Sequence, residues 1–174
     1  MRTWPPCTAS MLESITPLLY IQLSPQRLSV RNARKGDTWD EVPEIALLDQ
    51  PRPLIQAVGS KAREAAAHNG ARIANPLAHP RSIVSDFVLA QQLLQYGVRC
   101  VLGKGSFWRF TPSPHIVLHV PANPEGGYTQ VELRALKELA QGCGASRATL
   151  WQGPALTDGE LRSGQYPATG HILE

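Results

Sequence analysis

Two histidines are the residues in this sequence whose type and spacing most resemble a site for chemistry. His115 and His119 belong to a short apolar run, HIVLHV, that predicts a buried β-strand. Residues four positions apart on a strand share one face, so the two imidazoles could share a metal ion. However, no cysteine or carboxylate pair accompanies them at the spacing of zinc ligands. We therefore expect no metal site here, and two histidines with structural roles.

A glycine-rich loop and a lone thiol give weaker signals. Gly103-Lys104-Gly105-Ser106 lacks the GxxxxGK[ST] spacing of a phosphate-binding loop, which favours a flexible connection. Cys143 lies between two glycines and has no histidine or basic neighbour in sequence to lower the pKa of its thiol, which favours a small packing residue. The aromatic residues that follow the glycine loop, Phe107, Trp108 and Phe110, either cover the core or form a docking surface; the first is favoured.

Cysteine usage and the N-terminal residues bear on the compartment. Cys7, Cys100 and Cys143 are odd in number, far apart and outside any CxxC pair, which argues against a disulfide framework and favours a reducing cytoplasm. No apolar run near the N-terminus is long enough for an export signal or a membrane span. Trp4 could still touch a bilayer surface, although Pro5, Pro6 and Pro17 interrupt any amphipathic helix, so peripheral membrane contact stays open.

Length and composition limit the class of protein. A chain of 174 residues with 43% hydrophobic residues can bury one ordinary core. The net charge is only +3, and the lysines and arginines are scattered rather than gathered in a stripe. Nucleic acid is therefore not expected as a partner, because its binding depends on clustered positive charge.

The elements that must position these residues alternate between strands and helices. Residues 18–23 and 27–31 predict a β-hairpin around Ser24-Pro25, and residues 44–49 predict a third strand of the same opening group. Residues 34–40 are polar and predict a loop. Strands are also predicted at residues 115–120 and 148–151.

Three helices are predicted between these strands. The first is expected over residues 61–68, with Ser60 as a capping residue and a stop at Asn69-Gly70. The second is expected over residues 87–96, with Asp86 as its N-cap and an end at Gly97. The third begins with a Thr129-Gln130-Val131-Glu132 capping box and has its apolar stripe at Val131, Ala135, Leu136 and Leu139. This order predicts an α/β fold in which helices cover a mixed sheet.

Several segments resemble motifs of one known protein family and occur in the same order. Ala57-Val58-Gly59 resembles an AVG stretch, and residues 83–87, IVSDF, resemble a VIADF helix entry. The longest match begins at Pro112-Ser113-Pro114 and continues through residues 115–121, TQVE at 129–132, Arg134-Ala135 and Ala140-Gln141-Gly142. In the family this stretch is approximately RPSPRVLVCVP followed by TQVERRAIRESAQGAGA; residues 123–128 are an insertion here.

These segments together resemble the first domain of the MreB-type bacterial actins. The resemblance covers residues 18–155 and implies a ribonuclease H-like, actin-like ATPase domain with a small inserted subdomain.

The first phosphate-binding hairpin of that family is altered in this chain. The family motif DLGTANT corresponds to Gln22, Leu23, Ser24, Pro25, Gln26 and the arginine that follows them. An amide replaces the carboxylate that holds metal-bound water, serine replaces glycine, and proline removes a backbone N–H donor. The resemblance therefore implies a vestigial phosphate hairpin.

A second part of the family's catalytic machinery is also changed. The Glu-Glu-Pro whose acid helps to position attacking water corresponds to Gln152-Gly153-Pro154. The second phosphate hairpin, DIGGGTT, and the adenine-holding second domain have no counterpart within residues 1–174. Positioning and charge stabilisation supply most of the catalysis of phosphoryl transfer. We therefore expect a protein that does not hydrolyse ATP and carries no cofactor and no metal.

The resemblance also implies partners and a domain organisation. We expect interaction with MreB or another cell-shape protein in the cytoplasm, with a homodimer as a secondary expectation. The alternative is an actin-like ATP-binding protein that completes its cleft by self-association. The expected organisation is an N-terminal tail over residues 1–17, an actin-like domain over 18–156 with an inserted subdomain at about 50–82, and a C-terminal tail over 157–174.

Overall fold

The computed structural model of the chain describes residues 16–48, 54–79, 82–103, 112–121 and 127–174. Four features of the sequence analysis lie wholly or mostly outside these ranges. They are the N-terminal tail with Trp4 and Cys7, the end of the predicted third strand at Asp49, the loop containing Lys104 to Phe110, and most of the insertion at 123–128.

A six-stranded mixed sheet forms the centre of the fold. Its order is β3-β2-β1-β7-β8-β9, in which β1, β7 and β8 are parallel and the other pairings are antiparallel. Its strands are β1 (Leu18–Leu23), β2 (Leu28–Asn32), β3 (Thr38–Glu41), β7 (His115–His119), β8 (Arg147–Gln152) and β9 (His171–Leu173). A second sheet, of order β5-β4-β6, contains β4 (Ile45–Leu48), β5 (Leu54–Val58) and β6 (Arg72–Ala74).

The third predicted strand does not lie in the same sheet as the predicted hairpin. The strand predicted at residues 44–49 forms, as β4, the centre of the small second sheet, where it pairs with β5 and β6. The third strand of the opening group is β3, which lies in the segment predicted to be a loop. Alternation within a segment predicts a strand but does not reveal its pairing partner, and the half-exposed β3 lacks a strong apolar pattern.

Four helices accompany the sheets. They are α1 (Lys61–Asn69), α2 (Phe87–Leu102), α3 (Gln130–Gly142) and α4 (Asp158–Ser163). Asp86 caps α2 as predicted, with its Oδ1 accepting a hydrogen bond from Leu89 N at 3.0 Å. The capping box at Thr129 and Glu132 is also confirmed, and Gly70 ends α1 in the left-handed conformation. Ser60, by contrast, makes no side-chain capping hydrogen bond.

Two details of the helix predictions were wrong. Gly97 does not end α2, which continues to Leu102; a Cβ at Gly97 would lie 2.7 Å from the Trp39 ring. This glycine therefore permits close packing of the helix on β3 instead of terminating it. Val131 is 78% exposed, and Leu133 is among the buried residues of α3 in its place.

Both faces of the large sheet are covered. One face packs α2 and α3 against alternate strand residues that include Leu19, Ile21 and Leu118. The other face packs Tyr20, Val117 and Trp151 against Leu156 and Leu161 of the C-terminal residues. Burial of each large apolar side chain contributes about 1.5–3 kcal/mol.

The residues predicted to form a C-terminal tail contain a short helix and a strand. Within 157–174, α4 begins with a second capping box at Thr157 and Glu160, and β9 pairs with β8. Among the helices in the described ranges, none is long and apolar enough to cross a membrane.

Candidate functional site

The structure brings the two regions that the resemblance implies to be altered together at one edge of the large sheet. Gln22 is paired in register with His119 of β7, and His119 with Trp151 of β8. Because these three strands are parallel, their carboxyl ends meet at this edge, which we call the cleft edge. Gln152 follows directly, and its Nε2 donates to the carbonyl of Pro121 at 3.3 Å.

The turn at the cleft edge uses most of its own backbone donors. Ser24 N donates to the carbonyl of Arg27 at 3.1 Å, and Arg27 N donates to Ser24 Oγ at 2.9 Å. Pro25 has no N–H, and its carbonyl accepts a hydrogen bond from Asn75 Nδ2 at 2.8 Å. Three of the four turn residues therefore have no N–H available for a phosphate group, which is bound in such hairpins by free backbone donors.

Gly153 excludes a side chain at the position where the resemblance implies a glutamate. Its φ is +155°, and a Cβ would lie 2.6 Å from Gly170 Cα and 2.8 Å from the Trp151 ring. Any residue other than glycine would clash with both neighbours. The neighbouring Gln152 is 8% exposed and carries a neutral amide.

A hydrogen-bonded network lies beneath the cleft edge. His119 Nε2 is 2.9 Å from the carbonyl of Gly153, which can only accept, so this nitrogen carries the proton. Nδ1 then accepts from the Tyr20 hydroxyl at 2.6 Å, and the hydroxyl oxygen accepts from Leu156 N at 3.0 Å. Gln22 Nε2 lies 3.4 Å from the same Nδ1. The network thus connects β1, β7 and the segment after β8.

Burial keeps this network uncharged at neutral pH. It lowers the pKa of His119, an effect partly offset by the hydrogen bond to Gly153. It also raises the pKa of Tyr20, against the opposing effects of the hydrogen bond from Leu156 and the charge of Arg31. The neutral forms of both groups match the donor and acceptor pattern described above.

Arg31 holds the C-terminal segment over Tyr20. Its guanidinium carbon lies 5.2 Å from the centroid of the Tyr20 ring, and its Nη2 donates to the carbonyl of Leu156 at 2.7 Å. Its Nε also lies 3.0 Å from Asp158 Oδ1, an ion pair without the alignment of a hydrogen bond. These contacts hold the backbone that supplies the Leu156 N–H to the network.

A cleft of about 360 Å³ opens at this edge. None of the described residues that line it carries a carboxylate, and its one cationic side chain, Arg27, is paired with Asp40. Mg²⁺ is usually held through one or two carboxylates together with phosphate oxygens, so this lining offers it no charged ligand. The lining comprises Gln22, Leu23, Ser24, Arg27, Ser29, His119, Val120 and Pro121.

The two histidines of the candidate metal pair have separate environments. His119 belongs to the network at the cleft edge, whereas His115 Nε2 contacts Thr149 Oγ1 at 2.9 Å at the other end of the strand. Within the ranges that the structure describes, no group of three or more histidine, cysteine, aspartate or glutamate residues is arranged to hold a metal ion. Cys143 is buried as predicted, and burial raises the pKa of its thiol to about 12.

Sequence reasoning missed the network of Tyr20, His119 and Leu156. Tyr20 was part of a predicted strand, and a polar hydroxyl within an otherwise apolar run is the signal that could have marked it, since buried tyrosines need a partner. The backbone N–H of Leu156, which donates to the Tyr20 hydroxyl, belongs to a residue 136 positions further along the chain. No local pattern could have identified that contact.

Comparison with known proteins identifies the family. The model of the MreB/Mbl protein family matches residues 19–157, most of the chain. The chain belongs to the MreB/Mbl family. It is 33% identical over 140 residues to the cell shape-determining protein MreB of Haemophilus influenzae, covering 78% of this chain and 38% of the relative. It is 34% identical over 116 residues to MreB of Escherichia coli K12, covering 64% of this chain and 31% of the relative.

Solved structures confirm the predicted actin-like fold. MreB 5 of Spiroplasma citri bound to AMPPNP matches with a TM-score of 0.60 at 20% identity, covering 78% of this chain and 38% of that one. A non-polymerising mutant of MamK bound to AMPPNP matches with a TM-score of 0.59 at 21% identity, covering 78% and 40%. The chain therefore spans less than half the length of these relatives, and it shares the fold of their first domain.

Proposed function

We propose that this chain is a non-catalytic member of the MreB/Mbl family that associates with MreB or another cell-shape protein in the cytoplasm. The observation that carries the proposal is the turn at residues 24–27, where three of four residues have no N–H available for phosphate. The resemblance also implies acids at the positions of Gln22 and Gly153, and neither residue carries a carboxylate. Their absence adds to the shortage of phosphate-binding and metal-binding groups. Peripheral contact with the inner membrane is compatible with the proposal and is not needed for it.

The size of the loss favours weak nucleotide binding. A hydrogen bond to a charged group contributes about 1.5–3 kcal/mol. Loss of even two of the three donors at the hairpin would weaken the binding of a triphosphate by on the order of a thousandfold. Absence of the carboxylate that orders metal-bound water would weaken it further. A scaffold that keeps the actin-like fold without this binding energy is suited to protein–protein interaction.

Thermal unfolding with and without excess Mg-ATP tests the nucleotide half of the proposal. A ligand at about 100 times its Kd would stabilise the fold by about 2.7 kcal/mol, or roughly 5–10 °C in Tm. We expect no shift for the wild-type chain. A variant with Gln22→Asp, Ser24→Gly and Pro25→Thr should gain a shift, whereas Gln26→Ala in the same turn, as a control, should not.

The protein concentration distinguishes the alternative function. If self-association completes an ATP-binding cleft, the Mg-ATP shift should appear at high chain concentration and vanish on dilution. Either that result or a shift of the wild-type chain at any concentration would overturn the nucleotide half of the proposal. Co-pelleting with purified MreB filaments tests the partner, and a chain that stays in the supernatant would overturn that half.

A further inference from the structure

A second cavity lies at the end of the sheet opposite the cleft. It has a volume of about 420 Å³ and opens where β1, β7 and β8 begin, beside α4. His115 lines this cavity and His119 lines the cleft, and four residues of β-strand separate them by about 13 Å. The two cavities are therefore distinct, and conclusions about one do not rest on the other. We call this end the arginine edge.

Three arginines line the cavity from separate parts of the chain. Arg34 follows β2, Arg147 begins β8, and Arg162 belongs to α4. None of the three forms an ion pair with a carboxylate in the part of the chain that the structure describes, and no described lining residue is acidic. Other arginines behave differently: Arg27 and Arg63 pair with Asp40 and Glu44. The cavity thus collects positive charge that its own residues do not neutralise.

The pKa values of two residues that line the cavity indicate that the arginine charges lie close to one another. His115, on the cavity wall, has a pKa lowered first by burial and further by the charges of Arg147 and Arg34. Tyr166 also lines the cavity, and burial raises its pKa against the opposing charge of Arg147. Two guanidinium groups are therefore close enough to affect one imidazole. The third is oriented by the hydrogen bond from Arg162 Nε to the carbonyl of Asp158 at 3.1 Å.

The number and shape of these groups select the ligand class. A guanidinium presents a planar set of N–H donors that matches phosphate and carboxylate oxygens. A phosphomonoester offers three terminal oxygens and a charge between −1.5 and −2, whereas a carboxylate offers two oxygens and one charge. The hydroxyls of Ser146 and Ser163 donate to backbone carbonyls, so the guanidinium groups are the main donors left for a ligand.

We propose that the cavity at the arginine edge binds a terminal phosphate group through Arg34, Arg147 and Arg162. The phosphate belongs either to a small soluble molecule or to a lipid headgroup, because the chemistry presented to the arginines is the same. This binding site is additional to the cleft and does not depend on whether the cleft binds ATP.

Titration calorimetry of the full chain with inorganic pyrophosphate at low salt tests the site. In the pocket variant, Arg34, Arg147 and Arg162 are all replaced by Gln. In the control variant, Lys61, Arg99 and Arg134 are replaced by Gln, which lowers the net charge equally on other exposed surfaces. We expect the pocket variant to bind pyrophosphate at least about tenfold more weakly and the control to change by less than about twofold.

A charge-preserving variant separates a shaped site from general attraction. Replacement of the three arginines by lysine keeps the charge and removes the planar donor pairs, so its affinity should fall between those of the wild type and the pocket variant. All three side chains are exposed, and unchanged circular dichroism and Tm of the variants would establish that they fold. Equal affinity of the wild type and the lysine variant would overturn the claim of guanidinium recognition.

Flotation with phosphatidylcholine vesicles, with and without phosphatidic acid, identifies the source of the phosphate. Loss of pyrophosphate binding in the pocket variant alone supports a soluble ligand. Loss of phosphatidic acid binding in that variant alone, with no pyrophosphate binding by the wild type, supports a headgroup. If the wild type binds neither probe, or if the pocket and control variants lose binding equally, the site does not exist.

Discussion

The two ends of the parallel strands β1, β7 and β8 differ in how far their polar groups are paired with one another. At the cleft edge, Tyr20, His119 and Gly153 use their donors and acceptors on each other, and the network is neutral. At the arginine edge, Arg34 and Arg147 have no acidic partner among the described residues. Polar groups satisfied internally stabilise the fold, whereas unneutralised charge costs some stability and attracts a ligand. The polar groups of the cleft edge therefore stabilise the fold, whereas the arginine edge keeps the unneutralised charge on which the proposed phosphate site depends.

Removal of the Tyr20 hydroxyl should give the largest effect. Tyr20→Phe keeps the ring beneath Arg31 but leaves Leu156 N without its acceptor, and His119 Nδ1 keeps only its longer contact with Gln22 Nε2. One unsatisfied buried donor and one weakened hydrogen bond cost about 1–3 and about 0.5–1.5 kcal/mol, so we expect the free energy of unfolding to fall by about 2–4 kcal/mol. Urea unfolding at neutral pH measures this change.

Tyr166→Phe is the matched control, because the Tyr166 side chain is only half-buried and packs edge-on against Trp151. We expect it to change the free energy of unfolding by less than about 0.5 kcal/mol. Equal losses in the two variants would show that the cleft edge is not specially stabilised by its network.

The pH dependence of stability should give the next largest effect. The pKa of both His115 and His119 is lowered from 6.5 in the folded chain, so the unfolded chain binds protons first as the pH falls. Their contribution to the free energy of unfolding is therefore fully present above pH 6.5 and is lost as the pH falls through the folded pKa values. Urea unfolding from pH 7.5 downwards should show this loss, and His68→Gln, at an exposed position, should not alter it.

Salt should separate the contributions of the two histidines. Arg147 and Arg34 contribute to the lowered pKa of His115, whereas burial alone lowers that of His119. High salt screens the first effect and not the second. In His119→Gln, the remaining pH dependence should weaken with salt; in His115→Gln, it should persist. The reverse pattern would contradict the assignment of unneutralised charge to the arginine edge.

Removal of one charge at the arginine edge should have the smallest effect on folding. Arg147→Gln deletes a cation that repels its neighbours and has no acidic partner in the described ranges. We expect the free energy of unfolding to change by less than about 0.5 kcal/mol, since surface substitutions outside specific contacts have effects of this size. In an NMR titration, the pKa of His115 should rise, because Arg147 no longer lowers it. Arg134→Gln on α3 should leave that pKa unchanged, and a strongly destabilising Arg147→Gln would contradict the comparison.

Much of the fold could be predicted because its signals are local. The strand at residues 18–23 and the capping box at Thr129 and Glu132 each depend on residues only a few positions apart. The order of short motifs also indicated the family, and the match over residues 19–157 confirms it. The half-exposed β3 and the short β9 escaped prediction because neither has enough buried alternation.

The candidate site could be predicted only in part. The resemblance implied acids at the positions of Gln22 and Gly153, and the structure adds that a Cβ at Gly153 would lie 2.6 Å from Gly170 Cα. His115 and His119 appeared to form a pair because they share a strand face, and their different neighbours separate them. Such contacts depend on which strands and segments meet, and this is not encoded in local spacing.

The sequence by itself determined the family, most helix starts, and the residue types, among them an amide and a proline, that stand where the resemblance implies a phosphate hairpin. These follow from the chemistry of single residues and from short periodicities. Only the tertiary structure decided that Tyr20, His119 and Leu156 share one network, and that Arg34, Arg147 and Arg162 share one cavity. Residues more than a hundred positions apart meet because parallel strand pairing fixes which ends of distant segments lie side by side.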